Sequence, residues 1–362
     1  MKRLVEEIQT LGEIMRAAHD NLSWEHWDYL IGGSETETTL LRNRQSLDEI
    51  AFRPRVLNDV STIDASSIFL GKKCRLPLVL GPIGSAEQLN TEGMLPAAKA
   101  AAEFGVGIFK SSVAIPDIEE AAEKSNAQLI FQLYVRGDED WINQHVERVE
   151  AADYAGFCLT VDSAQYGRRE RDKIKKFVPP RRSQVSGVNY QSALNWDVVK
   201  RLRKRTKLPL IIKGIATAAD AAKAVDHGID IIYVSNHGGR QLDHGRGSIE
   251  VLPEIVSAVG SKATIIIDGG FYHGTDILKA IALGADAVGL GRLYGFGLAA
   301  FGQAGVKRTL EILEEEILNA MALLGITTLA ELSTDYIHPA KPVRVPNLTS
   351  AFHLFDVNDG PY

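Results

Sequence analysis

The chain of 362 residues has only two cysteines, Cys74 and Cys158, too few for a disulfide framework. Cys158 lies inside an apolar, strand-like run, where a buried thiol is expected. No apolar run approaches the ~20 residues that a membrane-spanning helix needs. No charged-then-apolar leader opens the chain, so a soluble cytoplasmic protein is expected. Positive charge is not in excess either: the formal net charge is −6, which argues against a nucleic-acid-binding surface. A G-x-G-x-x-G turn after an early strand, the mark of a dinucleotide site, is also missing. What the chain has in quantity is apolar residues, 45%, enough for a full core and against disorder.

Those apolar residues are arranged in two periods. Residues 1–32 read as helical, with Leu4, Ile8, Leu11, Ile14 and Met15 at helical spacing and a break at Asn21-Leu22-Ser23. The N-terminal segment then runs to about residue 60 through an irregular stretch containing Arg42-Asn43-Arg44 and Phe52-Arg53-Pro54-Arg55. From there β-rich runs recur at Leu78–Leu80, Val106–Phe109, Leu129–Val135 and Phe157–Val161, then at Leu208–Ile212, Ile229–Val234, Ala263–Ile267 and Ala285–Leu290. Helix-like stretches lie between them, near 91–104, 116–124, 138–152, 195–205, 217–227, 250–259 and 275–283. Two of these units share spacing, with a Thr expected to cap each helix start and a Gly each end, Thr217 with Gly228 and Thr275 with Gly284.

Fully apolar strands alternating with helices imply a parallel sheet covered on both faces. Eight such units predict an α/β fold, a (β/α)8 TIM barrel, as a single domain over residues 1–362. The gap between strands four and five, residues 164–194, predicts a lid. A long helix is expected over 303–323, and residues 325–362 are expected to run over the surface or a neighbouring subunit.

Ligands of such barrels sit at the carboxyl ends of the strands. There this sequence places Pro82-Ile83-Gly84, Ser111, Gln132 with Tyr134, and Thr160 with Asp162. Lys213, Ser235, His237, Arg240, Asp268-Gly269-Gly270 and Gly291-Arg292 follow at the remaining ends. The glycines with Arg292 would offer backbone N–H groups and a cation to a phosphate. Asp268 suits a sugar or ribityl hydroxyl, since a carboxylate repels phosphate. His237 beside Asp162 makes an oriented base. Arg240 and Arg169 match a small carboxylate with their planar forks, and Lys213 suits a negative charge developing on an organic cofactor.

The stretch Val234-Ser235-Asn236-His237-Gly238-Gly239-Arg240-Gln241-Leu242-Asp243 closely resembles the signature of the FMN-dependent α-hydroxy acid oxidases and dehydrogenases. The similarity extends through Trp27-Asp28-Tyr29, Phe131-Gln132-Leu133-Tyr134-Val135, Leu159-Thr160-Val161-Asp162, Gly167-Arg168-Arg169-Glu170, Lys213-Gly214 and Gly274-Thr275-Asp276. It implies oxidation of a small 2-hydroxy acid with FMN as cofactor, an electron acceptor that is oxygen or another carrier, and a homo-oligomer, a tetramer in the family. Carried over, Pro82, Ile83, Gly84, Ser111, Gln132 and Thr160 would line the flavin. Lys213 would face its N1/O2 edge and Ser235 would contact it. Asp268, Gly269, Gly270, Gly291 and Arg292 would hold the ribityl phosphate. Tyr29 and Tyr134 would contact substrate, Arg169 and Arg240 its carboxylate, and His237 would be the base, oriented by Asp162.

Three departures from the family pattern stand out. Tyr272 occupies the place of a phosphate-binding arginine, which predicts weaker FMN retention. Val113 and Gly84 widen the space beside the flavin, and the lid is shorter than in glycolate oxidase. Together they predict a substrate larger than glycolate. Two alternatives stay open: an FMN barrel of another reaction type, and a non-catalytic barrel with weakened cofactor binding.

Overall fold

The computed structural model describes residues 5–179 and 189–354. Eight strands form a closed, all-parallel barrel: β1 (Leu78–Leu80), β2 (Gly107–Ser111), β3 (Leu129–Leu133), β4 (Gly156–Thr160), β5 (Leu210–Ile215), β6 (Ile231–Val234), β7 (Thr264–Ile267) and β8 (Ala287–Leu290). Closure is made by β8 pairing with β1 through Val288–Leu78 and Leu290–Leu80. All eight expected strands are present, and the reason is physical. Each strand is buried on both faces, one against helices and one in the bore, so its sequence is largely apolar, and the polar exceptions Lys110, Ser111, Gln132, Thr160 and Lys213 lie towards the carboxyl ends. In β6, Ile232 and Val234 join the outer core while Ile231 and Tyr233 join the bore with Val79, Phe109, Cys158 and Ile266.

The outer ring follows the expected alternation: α4 (Leu95–Phe104), α5 (Ile118–Ser125), α6 (Glu139–Ala151), α8 (Trp196–Arg205), α9 (Ala218–Asp226), α10 (Ser248–Val259) and α11 (Gly274–Ala282). Thr217 caps α9 by accepting from the Asp220 N–H. Thr275 does not repeat this, because α11 begins two residues earlier than such a cap requires and His273 holds the cap position. Gly228 and Gly284 do follow their helices with φ of 75° and 99°, a left-handed turn that glycine enters without penalty.

Ahead of the barrel lie α1 (Leu11–Asn21), α2 (Trp24–Ile31) and α3 (Thr38–Asp48). The chain expected to be irregular after residue 33 contains α3, whose buried residues are Thr39, Asn43, Arg44, Ser46 and Leu47. Arg44 forms a buried ion pair with Asp276 (2.7 Å), fixing α3 to the first turn of α11. The helix expected over 303–323 is the second part of α12 (Arg292–Leu324), which is broken at Phe301 and Gly302. Within the lid, α7 (Glu170–Ile174) and a 3₁₀ turn at Tyr190–Ala193 are ordered, while lid residues 180–188 lie outside the described residues. The C-terminal tail pairs Ile337–Pro339 antiparallel with Ile50–Phe52, then buries Phe352. No helix among the described residues is long and apolar enough to cross a membrane.

Candidate active site

The carboxyl ends of the strands open into a cavity of about 480 Å³, a size that encloses small organic ligands. Its wall takes Tyr29 from α2, Pro82, Ile83 and Gly84 after β1, Tyr134 after β3, and Arg169 from the lid. Lys213 of β5, His237 and Arg240 after β6, Asp268, Gly269, Gly270 and Tyr272 after β7, and Gly291 and Arg292 after β8 complete it. The remaining sequence candidates stand behind this wall. Ser111 donates to Gln132 (2.7 Å), which donates to Thr160 (2.9 Å), a buried polar row across β2–β4. Asp162 and Ser235 also stand behind it, each bonded to wall residues.

His237 sits in a left-handed conformation (φ 59°), followed by Gly238 and Gly239 at 61° and 75°. A non-glycine residue there costs ~1 kcal/mol or more, and local bonds offset it. The His237 N–H donates to Ser235 Oγ (3.0 Å), and Asn236 Oδ1 accepts from the Gly239 N–H (3.2 Å). The turn aims the ring between two partners. Nδ1 lies 2.9 Å from Asp162 Oδ1, and Nε2 lies 3.1 Å from the Tyr134 hydroxyl. A carboxylate at Nδ1 fixes the proton there, leaving the Nε2 lone pair to accept from Tyr134.

Burial lowers the His237 pKa below its ordinary value, and the Asp162 charge only partly restores it. Burial alone would raise Asp162, but the charge and hydrogen bond of His237 outweigh it and hold the carboxyl below the usual range. The second oxygen of Asp162 is buried without a hydrogen-bond partner. Lys213 Nζ donates to Ser235 Oγ (2.7 Å) and pairs with Asp268 (3.2 Å), while Ser235 donates to Asp268 (2.6 Å). Burial opposes the Lys213 charge, yet Asp268 and then Asp162 raise its pKa, so the ammonium persists under the cavity floor.

Among the described residues Arg240 and Arg292 form no ion pair, whereas Arg169 faces the buried Asp172 at 3.9 Å. Arg240 is pulled down to about 10, by burial first and then by the charges of Arg169 and Arg292. Its nearest polar contact is the Gly32 carbonyl (2.9 Å). Arg169 lies over the Tyr166 ring (4.2 Å), with a buried Nε that meets no acceptor. Arg292, also lowered by burial, caps the end of α2 through the carbonyls of Leu30, Ile31 and Gly32 (2.9–3.2 Å) and reaches the Gly238 carbonyl (2.9 Å). This use of Arg292 was not expected. The Arg169 charge lowers the pKa of both Arg240 and Arg292, and such a cluster of buried cations attracts an anionic ligand.

At the β7 end, Gly269 and Gly270 have φ of 111° and 85°, and a side chain on either would press on Asn43. Tyr272 joins an aromatic cluster, with ring centroids 6.4 Å from Phe296 and 5.1 Å from Phe352 of the tail. Beside it His273 faces Glu316 (2.9 Å) with one nitrogen and the Ala351 carbonyl (2.7 Å) with the other. Burial opposes its charge, but two acceptors require two donors, and Glu316 raises its pKa to about 9. Among the described residues no group of three or more His, Cys, Asp and Glu is placed to hold a metal ion.

The model of the FMN-dependent dehydrogenases matches residues 18–193 and 180–339. The chain belongs to that family. It is 41% identical to an L-lactate oxidase of Nostoc sp. over 355 residues, covering 91% of this chain and 97% of the relative. A glycolate oxidase of Spinacia oleracea is 37% identical over 353 residues, covering 91% and 96%. A solved (S)-mandelate dehydrogenase superposes with a TM-score of 0.87 at 33% identity, over 92% of this chain and all of that one. A mandelate oxidase does so at 0.86 and 37%, over 93% and 100%. As a member of this FMN-dependent family the chain is an oxidoreductase and a flavoprotein.

The cavity fits that cofactor. Gly291 opens onto free space, where a Cβ would meet nothing within 4 Å. It also begins the 33-residue α12 with no side-chain cap, so the first N–H groups of that helix are available to a phosphate. Ser235, Lys213 and Asp268 supply donors and acceptors beneath. Several wall residues were missed from sequence: Leu89, Tyr166, Gln191 and Gln241. They lie in polar or loop stretches with no periodic signal, and only the closed barrel brings them together.

Proposed function

We propose that this chain oxidises an L-2-hydroxy acid larger than glycolate to the 2-oxo acid. The observation that carries the reading is His237 held between Asp162 and Tyr134 at the wall of a cavity where burial and neighbouring cations pull the Arg240 pKa down. Arg169 and Arg240 bind the substrate carboxylate, and Tyr29 and Tyr134 flank it. The Tyr134 hydroxyl donates to the reacting oxygen, and His237 Nε2 takes the hydroxyl proton. Asp162 offsets the imidazolium charge that results. The substrate gives up two protons and two electrons in all, and FMN, when bound, supplies the two-electron acceptor. Pro82, Ile83, Gly84, Ser111, Gln132, Thr160 and Ser235 hold or back its ring, with Lys213 meeting negative charge. Asp268, Gly269, Gly270, Tyr272, Gly291 and Arg292 surround its ribityl phosphate. Dioxygen or another carrier then takes the electrons. The preference for a larger substrate rests on Gly84 and Val113, two small groups facing one another in the wall.

The test is anaerobic mixing of the holoenzyme with a panel of 2-hydroxy acids, followed by air. Bleaching of the flavin absorbance by lactate-sized or aryl substrates, faster than by glycolate, is expected. An enzyme that holds FMN but is bleached by none of them would rule the reading out.

A further inference from the structure

The last paired rung between β3 and β4 joins Leu133 to Leu159. Beyond it the strands part, and the two partners of the His237 ring come from the parted ends: Tyr134 follows β3 and Asp162 follows β4. Parted strands leave backbone groups unpaired near a buried site, where each orphan costs ~1–3 kcal/mol. Here a side chain fills the gap. Gln191, in the 3₁₀ turn at Tyr190–Ala193, accepts from the Val135 N–H through Oε1 (2.7 Å) and donates through Nε2 to the Thr160 carbonyl (2.7 Å). One primary amide thus takes the place of a peptide group in the ladder. A longer bond reaches Ser163 Oγ (3.4 Å), and Asn189 pins the turn by donating to the Ala164 carbonyl (3.0 Å).

The leverage of that amide is specific. Val135 is the neighbour of Tyr134, and Thr160 lies two residues before Asp162, so Gln191 sets the spacing of the groups on the two nitrogens of His237. We propose that Gln191 is a positioning residue for the base: it holds Tyr134 and Asp162 at the separation that keeps His237 in one tautomer and aimed into the cavity. Glutamine suits the task because it has one donor and one acceptor on a planar group, as a peptide does. Methionine of similar length has neither. The proposal rests on the reading of His237 as the base.

Gln191→Met holoenzyme, compared with wild type by anaerobic stopped flow, tests it. The limiting rate of flavin reduction is expected to fall about tenfold or more, while the substrate concentration giving half that rate stays within about twofold. The pH profile of reduction should shift to lower pH, since a loosened Asp162 supports the imidazolium less. Gln191→Glu keeps the bond to Val135 and loses the donor to Thr160, so its rate should fall between the two. Flavin content and thermal midpoint show that each variant is folded. The decisive comparison is Gln191→Met in a His237→Gln background, where it should cost less than twofold because the residue acts through the histidine. A superimposable pH profile with an unchanged rate, or a full additional loss in the His237→Gln background, would overturn the proposal alone. Full-rate reduction by the single His237→Gln variant would instead overturn the assignment of the base and this proposal with it.

Discussion

Asn43 and Asn236 donate to each other's side-chain carbonyls across 2.9 and 2.7 Å, joining α3 to the turn that carries His237. Asn43 Oδ1 also accepts from the Ser248 N–H (2.9 Å), so one amide ties the N-terminal segment to both ends of the connection between β6 and α10. The segment that precedes the barrel is therefore a structural part of the site. Asn43→Leu keeps the volume and leaves the Asn236 amide and the Ser248 N–H short of a partner. A loss of about 1–3 kcal/mol in urea unfolding is expected. A change below about 0.3 kcal/mol would mean that solvent replaces the pair.

Tyr233 spans the bore beneath the cavity, with its hydroxyl between Gly81 and Gly289. It is fully buried and meets no acceptor in good hydrogen-bonding geometry, while Asp268, by its charge and by side-chain hydrogen bonding, adds to burial in raising its pKa. A poorly paired buried hydroxyl is a standing cost, and phenylalanine fills the same space without it. Tyr233→Phe is expected to raise the stability of the apoprotein by about 1 kcal/mol. A fall in its thermal midpoint would show that the hydroxyl has a partner after all.

The barrel was legible because parallel strands buried on both faces read as unbroken apolar runs. The helix α3 was not, for the opposite reason. Its buried face is Thr39, Asn43, Arg44 and Ser46 with a single leucine, and it is held by hydrogen bonds and the Asp276 ion pair rather than by an apolar stripe. The titratable members of the site were legible as residue types that seldom end apolar strands without a task. The work of Arg292 as a cap on α2, and of Gln191 as a rung between strands, was hidden. Both depend on backbone carbonyls and N–H groups, which every residue carries and no sequence pattern marks.

Arg240 bears a charge that its surroundings resist, and a bound carboxylate would answer it. Arg240→Met is expected to raise the substrate concentration for half-maximal reduction by ten- to a hundredfold, since a charge-assisted bond is worth ~1.5–3 kcal/mol. Arg240→Lys should recover part of this, restoring charge without the fork. The apoprotein midpoint should not fall, because repulsion from Arg169 and Arg292 is relieved as the bond to Gly32 is lost. Equal oxidation of a 2-hydroxy ester and its free acid would remove the case for a carboxylate clamp.

Tyr272 lies at the cavity wall where a cation would meet phosphate, and it is stacked instead among Phe296 and Phe352. Partial loss of FMN on repeated ultrafiltration is expected. Tyr272→Arg should retain more flavin, while lowering the apoprotein midpoint by adding a charge beside Arg292 and dismantling the aromatic cluster. Lower flavin retention in the variant would place the phosphate elsewhere.

His237 ties these parts together, and its pH dependence has a definite sign. Its pKa is lowered by burial, so the neutral base should predominate at and above the ordinary histidine value of 6.5. Reduction is therefore expected to be flat above that pH and to fall as pH drops through the depressed pKa. Asp162→Asn removes the charge that partly raises the histidine, so the fall should move to still lower pH. The plateau should drop too, because no anion then supports the imidazolium formed in the reaction. His237→Gln, with FMN still bound, should lose ~10²–10⁴-fold in the reduction step. Stopped-flow reduction with α-deuterated substrate reads all three, and an isotope effect would show that cleavage of the α-C–H bond limits the rate. A wild-type profile that still rises above pH 7 would assign the proton to a group other than this buried imidazole.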